Sequence, residues 1–182
     1  MNSNIKPSLG KIKPSIKEKP QYNPHSHTRS KAPNGKATER EVTQLVQNYY
    51  GVKCRIDRLP DSLDAGHYED RRPCDLFVTI ARGVASPENT IWYLECKETG
   101  QQRKTLQFSV LNDGQNKAIN STIALEIPYF VVFQHLPSKT LWLVPATAIR
   151  QQQSKGKKSM NEQELDAYLW VNKGKLYDNF KE

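Results

Sequence analysis

Cysteine is scarce in this chain, and its positions fit neither a disulfide framework nor a metal site. The 182 residues include only three cysteines, and no C-x-x-C pair occurs. Cys54, Cys74 and Cys96 each fall within an apolar, strand-like segment. This pattern predicts buried free thiols in a reducing compartment, and it argues against zinc.

Long apolar runs and histidine clusters are also missing. No run approaches the ~20 apolar residues that a membrane-spanning helix needs, and no signal-peptide core is visible. These absences predict a chain that does not cross a membrane and that works in the cytoplasm. The four histidines have no metal-ligand spacing, so we expect them to be structural or solvated. They are His25, His27, His67 and His135.

Positive charge is concentrated near the N-terminus. Residues 1–36 contain eight Lys or Arg and a single acid, so they carry +7 of the total +8. The same stretch holds five of the eleven prolines and few large apolar residues, too few to offset the entropy of ordering. We therefore expect a disordered basic tail at 1–36 and one domain at 37–182. The tail would add salt-dependent affinity for phosphate, and the alternative is a solubilising leader without a partner.

Helical and strand-like periodicities alternate along the rest of the chain. Helices are predicted at 38–50, with Thr38 as N-cap, and at 111–126, with Asn112 or Asp113 as cap. Strands are predicted at 52–58, 74–81, 90–97, 129–134 and 140–144. A loop at 59–72, a short helix from Pro145, a flexible basic stretch at 153–160 and a helical turn or two at 162–169 complete the pattern. The alternation predicts an α/β fold, with a sheet that carries helices on its faces.

One predicted strand ends with an acidic residue and a lysine two positions apart. Alternation places Glu95 and Lys97 on one face, where we expect exposed charges. The apolar set Trp92, Leu94 and Cys96 anchors the other face in the core. A carboxylate that holds a divalent cation beside an ammonium is an arrangement typical of nucleases. Asp75 begins the preceding strand, so an antiparallel hairpin would bring it next to Glu95. The alternative for each residue alone is a charge on a solvated face.

These residues and their neighbours resemble a known nuclease superfamily. Pro73-Cys74-Asp75 followed by Glu95-Cys96-Lys97 resembles the PD-(D/E)xK pattern. The run from Glu95 to Thr99, E-C-K-E-T, is similar to the E-A-K-E-T motif of RecU-type Holliday junction resolvases. The resemblance spans roughly 35–144. It includes Lys104-Thr105, the L-N-D-G-Q run at 111–115, which resembles the family's F-H-D-H-Q, and the N-G-K-A-T-E run at 34–39, which resembles R-G-x-x-L-E.

The resemblance implies a restriction-endonuclease-like core with a central mixed β-sheet flanked by helices. It also implies that Asp75, Glu95 and Gln115 surround Mg²⁺, with Mn²⁺ as a substitute. Lys97 would stabilise the charge of the phosphorane or orient the attacking water, and Glu39 would be an accessory acid on the first helix. Carboxylate and amide oxygens are hard ligands that suit both ions.

The chain also departs from the family. Pro73 stands where the family has a threonine that contacts the metal, and Asn34 replaces the arginine of the R-G opening. The long stalk insertion with which the family grips the junction centre is not recognisable. These departures fit a phage or mobile-element version, in a bacterial or phage-infected host cell.

Basic residues outside the tail are candidates for contacts with the DNA backbone, and the alternative is a solvated surface. They are Arg103, Lys104, Lys155, Lys157 and Lys158. The expected function is a magnesium-dependent endonuclease that resolves four-way junctions in branched DNA. Two opposed cuts on a two-fold substrate call for a homodimer. Two further functions stay open: a restriction- or repair-type nuclease on duplex or flap DNA, and a DNA-binding protein that has the fold without the chemistry.

Overall fold

The computed structural model describes residues 35–59, 72–84 and 90–172, and the backbone of 175–176. The expected tail, apart from its last two residues, and most of the expected loop at 59–72 lie outside the described residues. The helices are α1 Lys36–Tyr50, α2 Asp113–Ala124, α3 Ala146–Ser154 and α4 Glu162–Leu165. The strands are β1 Cys54–Arg58, β2 Leu76–Ile80, β3 Thr90–Thr99, β4 Leu106–Gln107, β5 Tyr129–His135, β6 Thr140–Pro145, β7 Ser159–Met160, β8 Leu169–Asn172 and β9 Lys175–Leu176.

Seven of these strands form one mixed sheet in the order β1-β2-β3-β5-β6-β8-β9. β3 pairs in parallel with β5, and the remaining pairings in this sheet are antiparallel. The predicted α/β fold, a central mixed sheet with flanking helices, is therefore confirmed. β4 and β7 form a separate two-stranded pair.

Helices cover both faces of the sheet, so it has two cores. Val42 and Val46 of α1 pack against the face that carries Leu94 of β3. Ile119 of α2 and Ile149 of α3 pack against the opposite face. A strand that is covered on both sides buries polar side chains as well as apolar ones, and this decides the environment of the charges on β3. In the part of the chain that the structure describes, no helix has the length and apolar character to cross a bilayer.

Two local predictions are wrong. Thr38 is not the N-cap of α1, because the helix begins at Lys36 after Gly35, and Thr38 is fully buried within the first turn. The basic stretch at 153–160 is not a flexible segment, since α3 continues to Ser154 and Met160 is buried in β7 against β4. The strand β8 was not predicted, because only four residues signal it and they follow a helical turn.

Candidate active site

The pairing of β2 with β3 brings Asp75 to Glu95. Leu76 lies opposite Leu94 in this antiparallel pair, so Asp75 lies beside the residue that follows Leu94. The Asp75 carboxylate accepts a hydrogen bond from the Cys96 backbone N–H, with 2.8 Å between Oδ2 and N. The Asp75 N–H in turn donates to the Leu94 carbonyl at 3.1 Å. The backbone of β3 therefore fixes the position of this carboxylate.

The start of α2 supplies the third side chain of the group. Asn112 and Gln115 form a capping box, in which each side chain bonds the other residue's backbone N–H. This box orients the Gln115 amide, whose Nε2 donates to Glu95 Oε1. Lys97 Nζ lies 2.8 Å from Glu95 Oε1 and 3.2 Å from Gln115 Oε1. The capping box, an interaction within one helical turn, thus orients the neutral Gln115 amide toward Glu95 and Lys97 of β3.

Glu95 is buried rather than presented to solvent, which corrects the expectation of an exposed charge. Its relative exposure is 1%, because α2 covers this face of the sheet. Among the described residues, its Oε2 atom has no hydrogen-bond partner. Burial, reinforced by the nearby Asp75 carboxylate and opposed by Lys97, raises the pKa of Glu95 to about 7. A buried acceptor without a partner is costly, and a bound cation would satisfy it.

All five predicted catalytic residues line one groove, with a volume of about 390 Å³. The structure brings together Glu39, Asp75, Glu95, Lys97 and Gln115. Glu39 enters from α1, where its carboxylate pairs with Arg58 Nε at 2.5 Å. Within the described residues, no group of three or more His, Cys, Asp or Glu side chains is placed to hold a metal ion. An ion at Asp75 and Glu95 would therefore have the amide oxygen of Gln115 as a further ligand.

Pro73 has a structural role at the position where the resemblance expects threonine. Its carbonyl oxygen accepts a hydrogen bond from the Tyr129 hydroxyl at 2.8 Å. The Leu59 N–H donates to the Asp75 carbonyl at 3.0 Å on the same short segment. These bonds anchor the backbone next to Asp75. Since proline carries no side-chain oxygen, it adds no further ligand to the group.

Arg72, which was not among the predicted site residues, lies at the same groove. Its Nη2 is 3.6 Å from Asp75 Oδ1, and its Nη1 is 3.5 Å from the Leu59 carbonyl oxygen. The only local signal was a basic residue three positions before the aspartate. Because Arg72 is the last residue of the predicted polar loop, it was not assigned to the site.

A partly buried polar cluster, which the sequence did not predict, attaches α1 to β3. Glu98 accepts a hydrogen bond from the Gly35 N–H at 3.1 Å and another from the Thr38 hydroxyl. Thr38 also contacts Gln134 Oε1, and Gln134 Nε2 donates to Glu41 at 2.6 Å. We call Thr38, Glu98 and Gln134 the clamp. The signal was the alternation of β3, which turns Glu98 away from Lys97 and toward α1.

The candidate DNA-binding residues lie on two segments that the structure brings together. β4 follows the loop of Arg103 and Lys104, and it pairs with β7, which follows the turn of Lys155, Lys157 and Lys158. Acids of α4 balance part of this charge. Lys104 pairs with Glu162, and Lys157 pairs with Glu164. The hydrogen bond from Lys157 lowers the pKa of Glu164.

The described histidine and the three cysteines are structural. His135 is buried, and its ring nitrogens lie 2.7 Å from Ser138 Oγ and 2.8 Å from the Gln101 carbonyl oxygen. Cys74 and Cys96 are buried free thiols, and Cys54 is a half-buried one. Burial raises the pKa of Cys74 to about 12 and raises the pKa of Cys96 well above its usual value, so both stay protonated. The other three histidines lie outside the described residues.

Comparisons with known proteins find a likeness among solved structures. No family model matches the chain, and no curated protein matches it. Among solved structures, it is similar to Hjc, a Holliday junction resolvase from the archaeal hyperthermophile Archaeoglobus fulgidus. The TM-score is 0.43 at 12% sequence identity, over 70% of this chain and 89% of that chain. The chemistry of the groove therefore has to be inferred from its own side chains.

Proposed function

We propose that this chain is a magnesium-dependent DNA endonuclease whose active site is the groove between α1, α2 and β3. The observation that supports this most directly is the buried Glu95 carboxylate. One of its oxygens lacks a partner in the part of the chain that the structure describes, Asp75 lies beside it, and a lysine ammonium is 2.8 Å from its other oxygen. A second carboxylate next to a buried one is unfavourable without a cation, so the pair is suited to binding one.

The donor set fits a hard divalent cation. Asp75 and Glu95 would provide carboxylate oxygens and Gln115 an amide oxygen, which Mg²⁺ and Mn²⁺ both accept. Bound there, the ion would lower the pKa of a water molecule and neutralise charge on the scissile phosphate. The Gln115 oxygen accepts hydrogen bonds from the Asn112 N–H at 2.9 Å and from Lys97 at 3.2 Å. The first bond holds the amide at the start of α2, and the second would give way to the ion.

The remaining groups position the substrate and its charges. Lys97 retains 21% side-chain exposure, so its ammonium reaches the groove while its stem packs. An ammonium at this point would meet the charge that develops on the phosphate in the transition state. Glu39 extends the acidic wall from α1 and is held by Arg58. From that position it would accept a hydrogen bond from a water molecule in the groove.

For the substrate, we propose branched DNA, with the four-way junction as the preferred form and a homodimer as the active species. The E-C-K-E-T run and the capping-box start of α2 support this choice, because both resemble the RecU-type pattern. Two opposed cuts require two copies of the groove. A restriction- or repair-type nuclease would use the same groove, so only the substrate distinguishes the two functions.

The first prediction tests the site. Asp75→Asn and Lys97→Ala should each reduce cleavage of branched DNA in Mg²⁺ by at least about 100-fold while DNA binding persists. Asp166→Asn and Lys117→Ala are matched controls, since both residues are exposed and outside the groove. Both controls should cut like the parent. If the Asp75 and Lys97 variants also cut like the parent, the assignment of the site is wrong.

A side-by-side assay separates the substrates. Parent protein would be incubated with a four-way junction, a flap, a duplex and a single strand, each with Mg²⁺, Mn²⁺ or EDTA. Faster cleavage of the junction supports the resolvase, whereas preference for flap or duplex supports the repair- or restriction-type nuclease. Binding without nicking in either ion would identify a DNA-binding protein that lacks the chemistry.

A further inference from the structure

Among the described residues, the groove holds two cationic side chains, and each faces one of the two candidate ligand carboxylates. Lys97 Nζ lies 2.8 Å from Glu95 Oε1, and Arg72 Nη2 lies 3.6 Å from Asp75 Oδ1. The two cations come from different segments, β3 and the approach to β2. Together they place two positive charges against two negative ones, which is the charge that a divalent cation would bring.

The contact of Arg72 with Asp75 is suited to exchange, whereas Nη1 of the same guanidinium lies 3.5 Å from the Leu59 carbonyl oxygen. At 3.6 Å the pair is an ion pair without a direct hydrogen bond, and the Arg72 side chain is 30% exposed. Partly solvated pairs of this kind contribute little and break readily. The Asp75 carboxylate, by contrast, keeps its 2.8 Å bond from the Cys96 N–H. Loss of Arg72 would therefore leave the carboxylate in place.

We propose that Arg72 is a second phosphate-binding cation, which neutralises Asp75 in the ion-free groove and moves to the scissile phosphate when a divalent cation is bound. This inference rests on the proposed function. A bound ion repels a guanidinium that faces the same carboxylate. The guanidinium carries several donors in one plane, which match two phosphate oxygens better than an ammonium does. Lys97 would undergo the same exchange from Glu95.

A purely structural Arg72 predicts the opposite result for metal binding. If Arg72 only orients Asp75, its removal weakens both metal binding and cleavage. If it competes with the ion and then binds phosphate, its removal tightens metal binding and slows cleavage. The two roles thus give shifts of opposite sign in one measurable affinity.

The experiment measures metal affinity and the rate of cleavage in the 182-residue chain. For Arg72→Ala, calorimetric titration should show Mn²⁺ binding about fivefold tighter than in the parent. Single-turnover cleavage of branched DNA at saturating Mg²⁺ should be about 100-fold slower. Arg72→Lys keeps the charge, so its Mn²⁺ affinity should stay near that of the parent. Arg55→Ala is the matched control, because Arg55 forms an arginine–aspartate pair with Asp57 on β1, outside the groove.

Each outcome supports or overturns either the role of Arg72 or the proposed function. Weaker Mn²⁺ binding by Arg72→Ala, or unchanged cleavage at saturating Mg²⁺, overturns the role of Arg72. If Arg72→Ala does not fold, Arg72→Gln removes the charge with less loss of packing and gives the same two readouts. A parent that binds Mn²⁺ and cuts no DNA overturns the proposed function alone. The Mn²⁺ affinity of the Arg72 variants then still decides whether the arginine competes with the ion.

Discussion

At the scale of single residues, Glu95 has an unusual environment among the described side chains. Buried carboxylates in proteins are normally paired and fully hydrogen-bonded. Glu95 is 1% exposed and pairs with Lys97, but its Oε2 atom has no partner among the described residues. Such a group costs stability when it ionises, and perturbed groups of this kind concentrate at functional sites. The cost can be measured.

The pKa of Glu95 predicts how stability depends on pH. Because the pKa is raised to about 7 from 4.5, the folded state binds the Glu95 proton more tightly than the unfolded state. Stability should therefore fall as pH rises from the unfolded pKa through about 7. Without metal, the parent should lose about 3 kcal/mol relative to Glu95→Gln between about pH 4 and pH 8. Urea unfolding in EDTA at several pH values measures this difference.

Glu164→Gln is the control for that series. The pKa of Glu164 is lowered by Lys157, so any pH dependence that Glu164 adds has the opposite sign and lies at lower pH. A difference between Glu95→Gln and the parent that does not change with pH would show that Glu95 is not perturbed in the folded state.

At the scale of secondary-structure elements, the clamp holds the N-terminal end of α1 against the sheet. Gly35, the N-cap, has no side chain, and Glu98 of β3 binds its N–H instead. A carboxylate at a helix N-terminus is favoured by the helix dipole. Thr38 lies one position before Glu39, so the same contacts set the position of Glu39 at the groove.

Because of the clamp, the buried Thr38 should contribute more to the stability of the fold than an ordinary helix residue does. Thr38→Val should lower the free energy of unfolding by about 1–3 kcal/mol, because it removes the buried hydroxyl that donates within the clamp. Thr38→Ser keeps the hydroxyl and should retain most of the stability. Urea unfolding of the three proteins measures the effect.

Thr122→Val in α2 is the matched control for Thr38→Val. Thr122 is also buried, but its hydroxyl bonds only carbonyl oxygens of its own helix, those of Ala118 and Ile119. Its loss should therefore cost less than the loss of the Thr38 hydroxyl. Equal destabilisation by the two valine variants would contradict the clamp.

The sequence predicted those elements whose signals are local. The apolar alternation of β3 and the Asn112 and Gln115 spacing at the start of α2 depend only on neighbouring residues, and both elements are present. The cap of α1 was misassigned because Thr38 bonds residues that are 60 and 96 positions away. Strands of two to four residues, such as β7 and β8, exist through their pairing and leave too short a pattern to detect.

The same distinction applies to the candidate site. The five predicted catalytic residues of the groove follow from strand alternation, one hairpin and one motif resemblance. The burial of Glu95 does not, because it depends on α2 packing over the face of β3. The contact between Arg72 and Asp75 needs the geometry of a segment with no regular structure. The electrostatics of the groove could therefore not be predicted from the sequence, whereas five of its residues could, and Arg72 was missed.

At the scale of the whole molecule, charge and chemistry are separated along the chain. The total charge is +8, but residues 1–36 account for +7. The rest carries a net charge of only +1, and within it Lys104 and Lys157 are paired with acids of α4. A nearly neutral domain attracts a polyanion weakly over long distances. Most of the general affinity for DNA should therefore come from the N-terminal basic residues.

Replacement of the seven Lys and Arg of residues 1–34 by Gln tests this division and keeps the chain length. The seven are Lys6, Lys11, Lys13, Lys17, Lys19, Arg29 and Lys31. Each phosphate contact contributes about 0.9 to the slope of log affinity against log salt, so the slope should fall by up to about 6. Binding to junction DNA at several salt concentrations measures it. A variant in which Lys155, Lys157 and Lys158 become Gln should change the slope by no more than about 3.

Cleavage should respond differently from binding. At protein concentrations that saturate the DNA, the variant with the neutralised N-terminus should cut at the rate of the parent, because Asp75, Glu95 and Lys97 are unchanged. Slower cleavage by this variant should be seen only below saturation, and the difference from the parent should disappear at low salt. An unchanged salt slope would mean that the N-terminal charges do not contact DNA, and slower cleavage at saturation would mean that they contribute to the chemistry of the groove.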